Sequence, residues 1–348
     1  MAYVTIDKSS LHFNTKLYTG NGGNQTITGI GHTPSFVWFK SRDAGNSHAL
    51  VNSVSGTNKV LYSDTNSAEQ SISAQTFNSD GFALVQDGGA NSINSNGSTK
   101  VAWSWKLNGQ GSANTDGSIN TTYTSANPTS GVSISMYEGT GSNASFGHGL
   151  SSAPEFVMVK GLDITSQWYL YSKSVGAGKS ATLDNASAFS NDTTSWQNTH
   201  PTASVVTIGN DGGTNSSGNT MLAYCFTPVR GFSSMGSYVG NGNASGPFIF
   251  TNGMKPAWVM IKRTDNGDFW MMQDTARTPT NVANKYFQAN DAAAESTTND
   301  VALDFLSNGF KIRNTGAHYN ASGVSYFYLA FAEAPIVGSN NVPANARW

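Results

Sequence analysis

The residues able to do chemistry are few, and the most regular of them are three lysines. Lys40, Lys160 and Lys262 each close an apolar run: Phe36-Val37-Trp38-Phe39-Lys40, Phe156-Val157-Met158-Val159-Lys160 and Trp258-Val259-Met260-Ile261-Lys262. Charged residues make up only 11% of the chain, against about 25% in an average globular protein, so three equivalent ammonium groups point to a shared role. That role is either a ligand contact or, more plainly, an aliphatic stem packed on a sheet with its head in water. Trp168 and Trp270 follow the second and third lysines, and His48 stands near the corresponding place after the first. An indole beside Asn and Asp can stack on a sugar ring while the polar side chains bond its hydroxyls; a buried core indole is the plainer reading. Lys40, Lys160, Lys262, Trp168, Trp270 and His48 are therefore the candidate binding residues.

Catalytic groups show no such recurrence. Glu69 and Glu295 match in position, after Ala68 and Ala294, but the second repeat has Phe189 after Ala188. That position reads as a surface or interface residue, not half of a general acid/base pair. The six histidines (His12, His32, His48, His148, His200, His318) have no spacing that sets two ligands on one face, and read as loop residues. Gly139-Thr140-Gly141-Ser142-Asn143-Ala144 matches a dinucleotide fingerprint by letters alone, without the helix that would face a pyrophosphate. Asp87-Gly88-Gly89, Asp211-Gly212-Gly213 and Asp265-Asn266-Gly267-Asp268 offer oxygen atoms to a cation, but Asp-Gly is a turn signal first and none fits an EF-hand loop. The lone Cys225, in Met221-Leu222-Ala223-Tyr224-Cys225-Phe226, reads as a small buried hydrophobe. The expectation is a protein with no catalytic residue, no metal and no cofactor.

The lysines are positioned by a repeat. Tyr18-Thr19-Gly20-Asn21-Gly22 returns as Tyr137-Glu138-Gly139-Thr140-Gly141 and as Tyr238-Val239-Gly240-Asn241-Gly242, and the distance from tyrosine to lysine is 22, 23 and 24 residues. Such self-similarity fixes the domain count at three. The expected boundaries are an N-terminal arm over 1–16, repeats over 17–108, 132–229 and 230–335, a polar linker over 109–131 and a tail over 336–348 that ends in Trp348.

Within the first repeat, strand signals run over residues 25–30, 36–40, 48–51, 81–85 and 101–106, bounded by Gly, Asn, Asp or Pro. Trp103 and Trp105 alternate about Ser104 and so share a face. Each repeat closes on a strand preceded by an Asn, Ser and Gly loop, at Asn94, Asn215 and Asn320. No window carries a sustained helical period. The expected fold class is all-β: three tandem antiparallel β-sandwich (lectin-like jelly-roll) repeats with short terminal arms. Whether the sandwiches stack in line or close into a pseudo-threefold block is open at this level. A net charge of −2 gives no basic footprint for nucleic acid, and no apolar stretch approaches the roughly 20 residues of a membrane span. The N-terminus lacks a basic start and apolar core, which points to a soluble product of the cytoplasm.

The combination of Met1-Ala2-Tyr3-Val4-Thr5-Ile6-Asp7, Leu17-Tyr18-Thr19-Gly20-Asn21-Gly22, Pro34-Ser35-Phe36-Val37-Trp38-Phe39-Lys40-Ser41-Arg42, Gly147-His148-Gly149-Leu150, Ala223-Tyr224-Cys225-Phe226 and Phe331-Ala332-Glu333 resembles a family of virion structural proteins from marine tailed bacteriophages. Asn52 and Ser55 depart from that pattern, standing where an aspartate and an arginine are expected. The resemblance implies a virion component assembled in the host cytoplasm and exposed on the particle, and it hands over no catalytic residue. The leading expectation is a non-enzymatic tail-fibre or receptor-binding protein, with other virion proteins, further copies of itself (a trimer, by analogy with phage fibres) and a host-surface glycan or protein as partners. A capsid decoration or head-fibre protein is the first alternative, and a glycan depolymerase the second.

Overall fold

The computed structural model describes residues 4–85 and 93–338. The Asp87-Gly88-Gly89 turn and Trp348 lie outside the described residues.

Runs of β-branched and aromatic residues between turn-forming Gly, Asn and Asp make the strands, and antiparallel pairing makes one wide sheet per repeat. In the first repeat its order is Phe13–Thr19, Thr99–Trp105, Phe36–Ser41, Ala49–Asn52, Gly56–Tyr62 and Gln70–Ser71. The third repeats that order with Ser233–Val239, Ser325–Pro335, Met254–Arg263, Met271–Asp274, Lys285–Gln288 and Ser296–Thr297. The second does so with Val132–Glu138, Thr220–Phe226, Phe156–Gly161, Tyr169–Ser172, Lys179–Thr182 and Ser190–Asn191. A narrow sheet covers one face of each: Gln25–Thr28, Gly81–Leu84 and Thr76–Asn78 in the first repeat, Phe248–Phe250, Gly309–Ile312 and Leu303–Leu306 in the third. In the second it has only Ala144–Gly147 and Val205–Ile208. The missing third strand falls where Pro201 to Ser204 replaces the Asp80-Gly81 and Asn308-Gly309 turns of the other copies. The protein is an all-β sandwich fold throughout.

Both faces of each wide sheet are apolar. One packs on the narrow sheet of its own repeat, as Val37, Phe39 and Ala102 do against Ile27, Phe82 and Leu84. Cys225 lies in the equivalent layer of the second repeat, beside Val157 and Phe146, where burial pushes its thiol pKa up. The other face turns to the remaining two repeats. Phe36, Trp38, Trp103 and Trp105 of the first share one core with Met158, Tyr224 and Phe226 of the second and with Trp258, Met260 and Phe331 of the third. Trp103 and Trp105 do share a face, as their alternation requires, and it is this common one.

The centre is built from matched cross-strand pairs: Phe36 with Trp105, Phe156 with Phe226, and Trp258 with Phe331. Phe36 stacks on Trp105 at 4.8 Å and meets Tyr224 at 5.0 Å. Trp105 stands edge-on to Trp258 at 6.2 Å, and Phe156 stacks on Phe327 at 4.9 Å. The three repeats therefore close into a pseudo-threefold block.

Two expected boundaries shift. Residues 13–16 of the expected arm open the strand Phe13–Thr19, and Phe13 stacks on Phe331 of the third repeat at 5.0 Å. Val4 and Ile6 are buried, Val4 against Gly231, so the described part of the arm docks on its own chain. In the expected linker, Tyr123–Asn127 adds a strand to the open edge of the second wide sheet, and Ile119 bridges Phe146. Its polar sequence hid a segment whose contribution is backbone hydrogen bonds at a sheet edge.

Trp105 is fully buried at the meeting of the first and third repeats. Trp105→Ala is expected to cost about 3–5 kcal/mol, measured by urea unfolding, with intrinsic fluorescence and circular dichroism losing signal at the same shifted midpoint.

Candidate functional site

The three lysines are the joints of the block. Lys40 of the first repeat donates to the carbonyl of Ala292 in the third at 3.0 Å. Lys160 of the second donates to Asn66 of the first at 3.2 Å, and Lys262 of the third to Ala186 of the second at 3.3 Å. The contacts run head to tail around the ring and close it. Each ammonium also bonds carbonyls of its own loop, at Ser41, Ser166 and Asn266. All three side chains are buried, and burial pushes their pKa values down to about 8.

The aromatic candidates serve the same seams. Trp168 donates its indole N–H to the Tyr62 carbonyl of the first repeat at 2.8 Å, and Trp270 donates to Thr182 of the second at 3.0 Å. His48 packs edge-on against Phe287 of the third at 5.8 Å while its Nδ1 accepts from Trp38 at 2.9 Å. Burial drives the imidazole pKa far down. Trp168, Trp270 and His48 are each 0% exposed, which corrects the expectation of a sugar-stacking surface: no ring face is open to a ligand. Backbone bonds run the opposite way around the ring, from Glu69 N–H to Leu162, Phe189 to Thr264 and Glu295 to Arg42.

The repeated tyrosine-glycine phrase is a lock within each repeat. The hydroxyls of Tyr18, Tyr137 and Tyr238 donate to the carbonyls of Ile93, Thr214 and Tyr319 at 2.6, 2.6 and 2.9 Å. The next residue in each case is a buried asparagine, Asn94, Asn215 or Asn320. Its side-chain oxygen accepts from the backbone of Asn21, Thr140 or Asn241 at 3.1, 2.7 and 2.8 Å. Gly20, Gly139 and Gly240 sit so close to the facing backbone that a Cβ has no room. The tips beyond, Asn21, Thr140 and Asn241, are exposed.

A cluster of ion pairs spans the seam between the third and first repeats. Glu295 binds Arg42 of the first repeat through both oxygens, at 2.9 and 3.0 Å, and Arg277 at 3.4 Å. Arg277 is itself paired with Asp274 at 2.5 Å and lies 4.3 Å over the Phe287 ring. Burial pushes the Glu295 carboxyl up, and the hydrogen bond from Arg42 with the charge of Arg277 more than offsets it, leaving the pKa below its ordinary value. Of the other acidic turns, Asp211 accepts from the Gly213 N–H at 2.7 Å, Asp265 pairs with Arg263 at 2.7 Å and Asp268 with His318 at 2.5 Å. Among the described residues no three His, Cys, Asp or Glu side chains are placed to hold a metal, and no helix is long and apolar enough to cross a membrane.

One open concavity was not visible in the sequence. A cleft of about 460 Å³ in the second repeat, the one with the incomplete narrow sheet, is walled by Tyr169, Ser180, Asn185, Asn191, Asp192 and Asp211. The Tyr169 ring is pressed against Gly213, where no side chain would fit. Tyr169 corresponds in register to Ala49 and Met271 of the other repeats, so the cleft is a departure from the repeat. Asp192 accepts from Ser180 at 2.6 Å and from the Thr194 and Ser195 backbone at 2.9 Å. Burial opposes ionisation there, but these bonds prevail and bring its pKa to about 2. A fixed phenol, an ionised carboxylate and amides give that wall both hydrogen-bond donors and acceptors.

A match to the domain of unknown function DUF7483 spans residues 8–335, all three repeats as one unit. The chain belongs to the DUF7483 family. Neither a search of curated proteins nor one of solved structures returned a match.

Replacing Lys160 by Met removes a buried donor from the carbonyls of Asn66, Gly161 and Ser166. The expected cost at pH 7 is about 1–3 kcal/mol. Folded Lys160 gives up its proton near pH 8, whereas the unfolded side chain keeps it to 10.5. Between those values the unfolded state binds more protons, so this group makes stability rise with pH. Urea titrations should accordingly show the gap between wild type and Lys160→Met widening from pH 8 to pH 10.

Proposed function

We propose that the protein is a non-enzymatic structural component of a bacteriophage virion, a tail-fibre or receptor-binding piece that presents loops to the host surface. The observation that carries this reading is where the recurrent chemistry goes. Every candidate binding residue that recurs, Lys40, Lys160, Lys262, Trp168 and Trp270, is spent on holding repeat to repeat. The solvent-facing surface includes Gly, Asn, Ser and Thr loop tips, and one of them, at Asn21, Thr140 and Asn241, stands at the equivalent place in all three repeats. Such a surface suits recognition of neutral, hydroxyl-bearing partners, and three equivalent loop sets add avidity. The polar cleft beside Tyr169 takes over from the buried tryptophans as the place for a host glycan.

In the capsid-decoration alternative the terminal arm and tail would clamp neighbouring subunits; Val4 and His12 of the arm pack on Gly231 and Phe232 of the chain's own third repeat, and the tail beyond residue 338 lies outside the described residues. A glycan depolymerase working by a carboxylate pair needs a carboxylic acid held protonated; in the cleft beside Tyr169, Asp192 is held ionised.

Immunogold labelling of intact particles with antibody to this chain is expected to mark the tail or its tip; label confined to the head would replace the attachment reading with decoration. On a host-glycan array, Tyr169→Ala should lose about 1–3 kcal/mol of binding, while Trp168→Ala should lose stability. Equal binding by Tyr169→Ala and wild type would remove the cleft from the account.

A further inference from the structure

We propose that the groove between the first and second repeats is a binding site for an alkylguanidinium group, its charged head on Glu69 and its stem along Met136 and Leu162. The pseudo-symmetry supplies an internal control. Asn52 pairs in register with Phe36 as Asp274 does with Trp258. Asn52 accepts from the backbone N–H of Ser55 as Asp274 does from that of Arg277. Ser55 therefore occupies the place of Arg277. Glu69 and Glu295 correspond through their backbone bonds to Leu162 and Arg42, so Leu162 occupies the place of Arg42. At the seam between the third and first repeats two guanidinium groups satisfy Glu295. Between the first and second, both arginines are missing and the glutamate remains.

The consequence is visible at Glu69. Its Oε1 is buried and has no hydrogen-bond partner, an expensive state for a carboxylate oxygen. Burial pushes its pKa up, only partly offset by the Ser55 hydroxyl and the charge of Lys59. Where arginine is absent there is space: a cavity of about 410 Å³ lined by Ser55, Lys59, Glu69, Met136, Leu162 and Asp163. Lys59 does not bar a second cation, because its counterpart Lys285 lies 3.9 Å from Glu295 together with both arginines. Asp163 already holds the Thr220 N–H and adds negative charge at the rim. Planar, bidentate pairing with a carboxylate favours guanidinium over a primary ammonium.

The source is either an arginine of another protein in the particle or a small guanidinium compound, and calorimetric titration of the full chain separates them. Ethylguanidinium and a blocked peptide carrying one arginine are both expected to give saturable binding, weakened about tenfold or more by Glu69→Gln. Tighter binding of the peptide assigns the site to a protein partner, and equal binding to a small molecule. Ser55→Arg should fill the cavity from within, abolish both titrations and raise the melting temperature. The proposal is overturned if neither probe binds, or if Glu69→Gln binds both as wild type does.

Discussion

A wide β-sheet that is apolar on both faces cannot be covered by one narrow sheet, and the rest of this structure follows from how the second face is removed from water. Each repeat turns that face inward, and three of them together enclose a dry centre of Phe36, Trp105, Phe156, Phe226, Trp258 and Phe331. Apolar burial has no direction of its own. The orientation comes from the lysines, which reach through the seams to backbone carbonyls of the preceding unit. A buried ammonium is costly unless bonded, so the three seams must form together, each supplying acceptors to the next lysine. A single family domain covers all three repeats.

Within this frame, the three repeats differ at their rims. The position after Ala68, Ala188 and Ala294 is Glu69, Phe189 and Glu295. At Glu295 it carries an arginine cluster, at Phe189 an apolar contact with Trp270, and at Glu69 an unfilled groove. The second narrow sheet lacks a strand, and the polar cleft lies in that repeat. A repeat architecture keeps its core fixed while each copy varies its rim.

Much of this was legible in the sequence. Repeat number, all-β class and the strands at Phe36–Ser41, Ala49–Asn52 and Thr99–Trp105 follow from period-two patterning between turn residues. The recurrence of the three lysines was plain, but their partners were not, because a backbone carbonyl leaves no residue signature. Period two also placed Trp103 and Trp105 on one face without saying that it met another repeat. Trp168 and Trp270 read as core indoles or sugar-stacking rings, with nothing in the sequence to show the carbonyls of the neighbouring repeat that they bond. The buried Asn94, Asn215 and Asn320 were visible only as loop residues; their recurrence before the closing strand of each repeat carried the available signal. The departure at Asn52 and Ser55 was readable as a lost ion pair, and its intact counterpart, Asp274 and Arg277, stood in the third repeat.

Differential scanning calorimetry of the full chain tests the shared core most directly. One transition is expected, with a calorimetric enthalpy of about 0.7 kcal/mol per residue near 60 °C equal to its van't Hoff value. Two or three resolved transitions, each with the enthalpy of about 100 residues, would show sandwiches that fold independently and contradict the account.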